Sequence, residues 1–455
     1  MRQVMRIRIE LIKAWLKVMP SILKGVFEMN SGDFRVHRLR KWQGMFLCAA
    51  LIVCQLTGCR TGEASGSQLS SGSIQGFEGT DREGAQLCED TAGAVAVTDS
   101  TASEESTADP DSEPEITLIM VGDILMHTPV AESAETEDGG YDFSAVFANM
   151  QEEIQEADLA LVNQEVIIGG AELGISGYPN FNAPYELGDA LSDAGFDVIL
   201  HATNHALDKG KRGLVNCMAF WEENHPEKAV LGIHGSQEDQ QEIYVYEQEG
   251  IRIAILNYTY GTNGIPLPED MPYGVDLLEK ERVVSDLQRA NELADFVIVC
   301  PHWGTEYRLE ESKVQREWAQ LFAAGGADLV LGTHPHVIEP VEWVDDTLVY
   351  YSLGNFVNWT SGTGEGVANR MVGGMARVTV GLDEEGKAVI TDYCVEPLVC
   401  HLETGFGGVT VYPLAEYTEE LAERNEIIKQ DGSFSLEYCR ELSERVFGET
   451  GLSPR

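Results

Sequence analysis

The stretch FDVILHATNH, residues 196–205, decides how the chain is read. Phe196, Val198, Ile199 and Leu200 form an unbroken apolar run of strand length. Such a run belongs to a strand covered on both faces, as in a parallel sheet between helices. It ends in Asn204 and His205, and a helix is predicted over 211–223. The polar pair therefore falls where the strand leaves the core. In α/β sheets that edge is where ligands bind.

The same grammar recurs on both sides of it. ITLIMVGD (116–123) is a buried-strand pattern ending in Asp123, and DLALVNQE (158–165) ends in Glu165. FVIVCPHWG (296–304) carries His302, and DLVLGTHPH (328–336) carries His334 and His336. IRIAILNYT (251–259) is a further strand. Helical spacing is read over 143–157, 186–195, 276–294 and 312–324, the second ending in Gly195 as helices commonly do. This alternation predicts an α/β fold whose first strands run parallel. The strands expected over 340–356 and 373–382 are joined too tightly for helical crossovers, so an antiparallel part is expected there. No internal repeat is found.

Seven residues on five strands thus share one sheet edge: Asp123, Glu165, Asn204, His205, His302, His334 and His336. Singly, a histidine at a strand end is more often a cap than a ligand. Together they have the make-up of a metal or catalytic site. Carboxylate, imidazole and one amide oxygen suit borderline divalent ions such as Mn, Fe or Zn. A carboxylate bridging two ions about 4 Å apart would let them activate water and stabilise charge on a phosphoryl or acyl oxygen. His205, which follows Asn204 directly and projects differently, is the natural general acid.

Composition bounds what such a site serves. The 455 residues are 43% hydrophobic and carry a formal charge of −44. With a sequence pI near 4.4, the basic footprint that sequence-independent nucleic-acid binding needs is missing, and so is one for docking on an anionic membrane surface. Residues 1–58 depart from this, with ten basic residues and three acidic ones, so the remainder carries −51. Arg35, Arg38, Arg40 and Lys41 precede an apolar run that begins at Met45 and leads into Leu56-Thr57-Gly58-Cys59. That run, about 13 residues, is short of the roughly 20 that span a bilayer. The segment resembles a bacterial lipoprotein signal, which implies lipidation of Cys59, export, and anchoring on the outer face of the cell membrane. Met29 would start an ordinary signal of this kind. The preceding residues 1–28 are read as a gene start placed too far upstream, with an extra basic amphipathic stretch as the alternative.

The expected organisation has four parts. Residues 1–58 are the N-terminal extension and signal. Residues 59–115, rich in Ser, Thr, Gly, Asp and Glu, form a disordered tether. Residues 116–382 are the main domain, and 383–455 are a C-terminal extension packing on it, with helices expected near 415–429 and 436–447. Five cysteines fall in the body, Cys217, Cys300, Cys394, Cys400 and Cys439, an odd number from which pairing cannot be read. Cys300 is read as core. No CxxC pair occurs, which argues against a cysteine zinc site.

GDILMH, NQE, ATNHALDKG, HWGTEY, GTHPHVIEPVE and YYSLGNF, in that order over roughly residues 116–360, resemble the CapA family of bacterial poly-γ-glutamate and capsule synthesis proteins. That domain in turn resembles the calcineurin-like metallophosphoesterases. The resemblance implies an α/β/β/α sandwich with mixed sheets and a site for one or two divalent ions. It implies Asp123, Glu165, Asn204, His302, His334 and His336 as metal ligands, with Glu165 bridging, and His205 as the catalytic histidine. The metallophosphoesterases place a histidine two residues after the first aspartate. Here Ile124, Leu125 and Met126 come before His127, which leaves His127 between a ligand and a surface residue of the first helix. Asn163-Gln164-Glu165 stands where relatives usually read Asn-Leu-Glu, and Val357-Asn358-Trp359 replaces the usual run toward an aspartate.

Asp208 is expected to orient His205, as carboxylates behind functional histidines do. Trp303, Glu306, Tyr307 and Asn355 are placed in a substrate cleft. The alternatives are that Trp303 and Tyr307 only pack beneath their loop and that Asn355 only serves a turn. Two functions follow from the resemblance. One is a surface-anchored metal-dependent hydrolase acting on a phosphoester or on a bond of an anionic polymer. The other is a non-catalytic component of a membrane complex that synthesises or exports the polymer, alongside synthase or export subunits. A polyanionic substrate would be repelled at long range by so acidic a body, and bound divalent ions would reverse that sign locally.

Overall fold

The computed structural model describes residues 114–359, 361–405 and 407–448. The signal segment, Cys59 and the tether up to residue 113 lie outside the described residues.

Strand β1 (Glu115–Ile124) is the first apolar run, with all but two of its residues buried. Parallel to it lie β2 (Leu159–Asn163), β3 (Val198–Leu200) and β4 (Ala229–Leu231), in that order. Helix α1 (Tyr185–Ala194) ends at Gly195 in the left-handed conformation, as the sequence predicts. Helix α2 (Gly210–Asn224) follows β3. The single helix expected over 143–157 is instead two short ones, Ser144–Phe147 and Gln151–Glu156. Between them the Asn149 amide donates to the carbonyl of Val411 at 3.2 Å, a tertiary bond from the interrupted turn.

The chain then builds a second sheet. It comprises β5 (Tyr244–Gln248), β6 (Ile251–Thr259), β7 (Phe296–His302), β8 (Leu329–Leu331), β9 (Val341–Val344) and β10 (Thr347–Tyr350). The order is β5-β6-β7-β8-β10-β9, parallel from β6 to β10 and antiparallel at both edges. Helices α3 (Lys280–Leu293) and α4 (Lys313–Ala324) supply two of its crossovers. A reciprocal cap between Ser312 and Gln315 starts α4.

Alternation along these strands stacks the layers. Ile253, Ile255, Ile298, Cys300, Leu329, Leu331, Leu348 and Tyr350 join the core shared with the first sheet. Their neighbours Ala254, Leu256, Val297, Val299, Val330 and Val349 meet Val283 and Leu287 of α3 and Ala319 and Phe322 of α4. The α/β/β/α sandwich with mixed sheets is therefore what the chain forms.

The chain finally returns to the first sheet. β11 (Asn355–Val357) pairs parallel with the end of β1, while β12 (Val372–Leu382) pairs antiparallel along β1. β13 (Ala388–Glu403) and β14 (Gly408–Pro413) extend the sheet outward. Residues after 382 are thus not only an extension packed on the domain, because they supply two strands of its first sheet. The two predicted C-terminal helical regions are present, as Glu419–Arg424 with a following 3₁₀ turn and as α5 (Leu436–Phe447). Cys217, Cys300, Cys400 and Cys439 are buried thiols. Among the described residues no helix is long and apolar enough to cross a membrane.

Candidate metal centre

β1 and β11 approach closely because position 122 is glycine. A Cβ there would lie 2.0 Å from the carbonyl oxygen of Gly354. The contact sets Asp123 beside Asn355 in register and lets the Asp123 amide donate to Gly354 at 2.9 Å. Asp123 is fully buried and accepts from the Asn163 amide at 2.8 Å and from the His334 backbone N–H at 3.2 Å.

The sandwich brings the seven strand-end residues together at the seam of its two sheets. Asp123, Glu165, Asn204 and His205 come from the first sheet, and His302, His334 and His336 from the second. Two sets of ligand atoms lie within 4.8 Å of one another: Glu165 with His302 and His334, and Asp123 with Glu165 and His336. Glu165 belongs to both. Its carboxylate stands 3.8 Å from His302 Nε2, 3.8 Å from His205 Nε2 and 3.6 Å from His336 Nδ1. Both of its oxygens are buried without a hydrogen-bond partner, and so is His334 Nδ1. Buried charged groups are otherwise paired or coordinate metals. The donor set therefore fits one or two divalent ions, with Glu165 placed to bridge.

In the metal-free protein the electrostatics favour the ligating form at His302 and His334 and the protonated form at Glu165 and His336. Burial, reinforced by Asp123, holds the Glu165 carboxyl well above the usual carboxylate range, against the opposing pull of His336. Burial keeps His302 and His334 well below the usual imidazole range, so both are neutral, the form that ligates. Burial also works to lower His336, but the carboxylates of Glu165 and Asp123 outweigh it and raise the group to about 9. His334 and His336 have positive φ values of 99° and 59°, an uncommon conformation for residues other than glycine. Such strain clusters at functional sites.

Asn204 sets its amide oxygen 2.8 Å from His302 Nε2 and donates to Asn263 at 3.2 Å. His205 Nδ1 lies 2.7 Å from Asp208, whose carboxylate also accepts the Phe181 backbone N–H at 2.7 Å. The expected link from Asp208 to His205 is therefore present. Phe181 presents its ring to the imidazole at 4.7 Å between centroids. Thr333 Oγ1 lies 3.0 Å from His302 Nδ1 and holds the far side of that ring.

Beside the centre lies a cleft of about 200 Å³ lined by His127, Tyr178, Tyr307, His336, Asn355 and Arg370, among others. His127 falls in neither ligand set. It packs edge-on to Phe181, and burial, aided by the nearby positive groups, lowers it to about 4. Tyr307 lines the cleft, with its ring 5.9 Å from that of His336. Asn355 holds His336, with its oxygen 3.1 Å from Nδ1 and its amide donating to the His336 carbonyl. Glu306 is exposed on the same loop, and its charge is felt at Glu165 and His336. Trp303 corrects the expectation of a cleft residue. It is 2% exposed, packs on Phe322 and Tyr351, and donates from Nε1 to the Tyr351 carbonyl at 2.9 Å. Successive residues of a strand point to opposite faces, so with His302 at the seam Trp303 turns to the helical side.

Sequence reasoning did not single out Asn163, Phe181, Asn263, Thr333 or Arg370. Asn163 ends β2 next to Glu165, so the strand-end pattern could have found it. The others arrive from loops or a 3₁₀ turn and carry no local signal.

The site and the sandwich together are those of an α/β/β/α protein with a candidate divalent-metal centre. Residues 117–360 match the family described as bacterial capsule synthesis protein PGA_cap, and the chain belongs to that family. Over 175 residues it is 34% identical to the PGA biosynthesis protein CapA of Bacillus subtilis (strain 168), covering 37% of this chain and 45% of that one. Over 258 residues it is 29% identical to the capsule biosynthesis protein CapA of Bacillus anthracis, covering 54% and 61%. The chain thus spans only about half the length of these relatives. Similar solved structures include a putative 5'-nucleotidase from Staphylococcus aureus, with a TM-score of 0.42, 17% identity and coverage of 62% and 54%. Another is the calcineurin-like phosphoesterase YfkN from Bacillus subtilis, with a TM-score of 0.38, 12% identity and coverage of 72% and 100%. Overlays this loose say nothing about chemistry.

Proposed function

We propose that this chain is a metal-dependent hydrolase of the cell surface, working in capsular or poly-γ-glutamate biosynthesis on a phosphoester or a polymer bond. The observation that carries the reading is Glu165. It is a fully buried carboxylate with both oxygens unpartnered, shared by two ligand sets.

Divalent ions bound there would supply a Lewis acid and an activated water. Asp123, Glu165, Asn204, His302, His334 and His336 would hold them. His205 faces Glu165 with Nε2 and gives Nδ1 to Asp208. The Asp208 carboxylate, 2.7 Å from Nδ1, fixes the ring. A proton at Nε2 is then placed to pass to a leaving oxygen or nitrogen. The closed apolar side formed by Phe181 limits the water that could compete for that proton.

The address belongs to the same proposal. The basic segment 1–58 with its Leu-Thr-Gly-Cys ending supports export and lipid anchoring at Cys59. The acidic stretch to residue 115 would hold the domain off the membrane, near polymer synthase or export subunits. The test is to purify the full chain, measure bound metal, and assay phosphodiester and polymer cleavage with and without His205→Ala. Stoichiometric metal and a His205-dependent turnover are expected. Absence of bound metal sinks the catalytic reading. Metal without His205-dependent turnover would favour the binding component of a polymer complex instead.

A further inference from the structure

The cleft beside the candidate metal centre has a chemistry unlike the rest of the molecule. The whole chain carries −44, yet among the described residues no aspartate or glutamate lines this cleft. Its one permanent cation is Arg370, which comes from the 3₁₀ turn Val367–Met371, beyond the residues that match the family. Three features place the guanidinium. Its central carbon lies 3.7 Å above the Tyr307 ring, a stacked arrangement that immobilises a planar group. The Arg370 carbonyl is tied to Asn355, whose own oxygen reaches His336. His127 lines the same cleft, and the charge of Arg370 is felt there.

We infer that Arg370, held on Tyr307 in the cleft it shares with His127, forms an oxyanion-binding subsite that selects substrates carrying a carboxylate or phosphate next to the bond presented to the metal centre. This rests on the metal-centre reading for what lies at the bond, but the subsite itself is built of other residues. Guanidinium suits the role because its fork of N–H donors matches the two oxygens of a carboxylate or phosphate. The volume of about 200 Å³ holds one small charged group, not a polymer strand. Recognition would then be local, one anionic group at a time, and the acidic surface around it would not need to attract the remainder.

The experiment uses the full chain loaded with Mn and two probes, inorganic phosphate and glutarate, with binding followed by calorimetry. Metal content is measured on every sample. Arg370→Met should keep its metal and its melting temperature while binding is weakened about tenfold to a hundredfold, the loss expected for a charge-assisted hydrogen bond. Arg370→Lys should recover part of the affinity, since charge returns without the fork. Weakening for both probes assigns a general oxyanion subsite, and weakening for one alone assigns carboxylate or phosphate selection. Unchanged binding of both probes to metal-loaded Arg370→Met overturns the subsite and leaves Arg370 as packing for Tyr307. Wild type that takes up no metal overturns the metal-centre reading instead, and the two failures are distinct.

Discussion

Replacing Glu165 by glutamine should raise the stability of the metal-free protein and lower that of the metal-loaded one. In the absence of metal, Glu165 is a buried carboxylate with no hydrogen bond, and its closest nitrogen is 3.6 Å away on His336. His336 opposes the burial without cancelling it. Leaving a buried group unsatisfied costs about 1–3 kcal/mol, more when it is charged. Glutamine keeps the shape and takes away the ionisable group whose charged form burial disfavours. For a domain of this size that gain corresponds to roughly 2–6 °C in melting temperature. In the presence of metal at about a thousand times its dissociation constant, wild type gains about 4 kcal/mol from binding. The variant, lacking the shared ligand, should gain little. The two proteins should therefore exchange rank between EDTA and Mn in a calorimetric scan at pH 7.5. A variant less stable than wild type in EDTA would refute the reasoning, because Glu165 would then be satisfied by the protein itself.

Three further outcomes follow from named contacts. Asp208→Asn should lower turnover by about a hundredfold, with bound metal unchanged, because His205 loses the carboxylate that orients its ring. Glu339 is buried, and burial raises its carboxyl to about 8 although Gln315 donates to it. The unfolded chain ionises near 4.5 and the folded one near 8, so this group's contribution is full below 4.5 and is lost as pH rises toward 8. The unfolding free energy from urea melts, wild type minus Glu339→Gln, should fall across that window by an amount on the order of a few kcal/mol, and a flat difference would count against it. Trp303→Phe should destabilise the fold by about 1–3 kcal/mol by removing the shorter of two hydrogen bonds to the Tyr351 carbonyl, leaving Gln315 at 3.5 Å, and should leave KM unchanged.

Much of the site was legible because apolar strands end abruptly in Asp, Glu, Asn and His. The strand period tells where each side chain emerges but not which wall it joins. Adjacent His302 and Trp303 were therefore both placed at the site, one as a ligand and one in the cleft, and the sandwich turns their side chains to opposite faces of the sheet. The outer strands were hidden for a related reason. β13 mixes exposed Thr391 and Asp392 with a run of buried residues and contains Pro397, so neither alternation nor an apolar run marks it. Arg370 was invisible because nothing in GVANRMVGG announces a site. Only the fold of that turn against Asn355 and Tyr307 brings it to the cleft.

The position of β1 has a consequence for the order of events in time. It is the first strand of the described chain, yet it lies inside its sheet, flanked by β2 on one side and by β12 on the other. The chain must be present through Val357 before Asp123 has both neighbouring strands, and through Leu382 before β1 is paired along its length. Until then a hydrophobic strand bearing a buried carboxylate waits with an open edge. Pairings this distant in sequence close slowly. The centre should therefore be among the last features of the molecule to form, and metal capture should report completion of the whole sheet rather than of its first half.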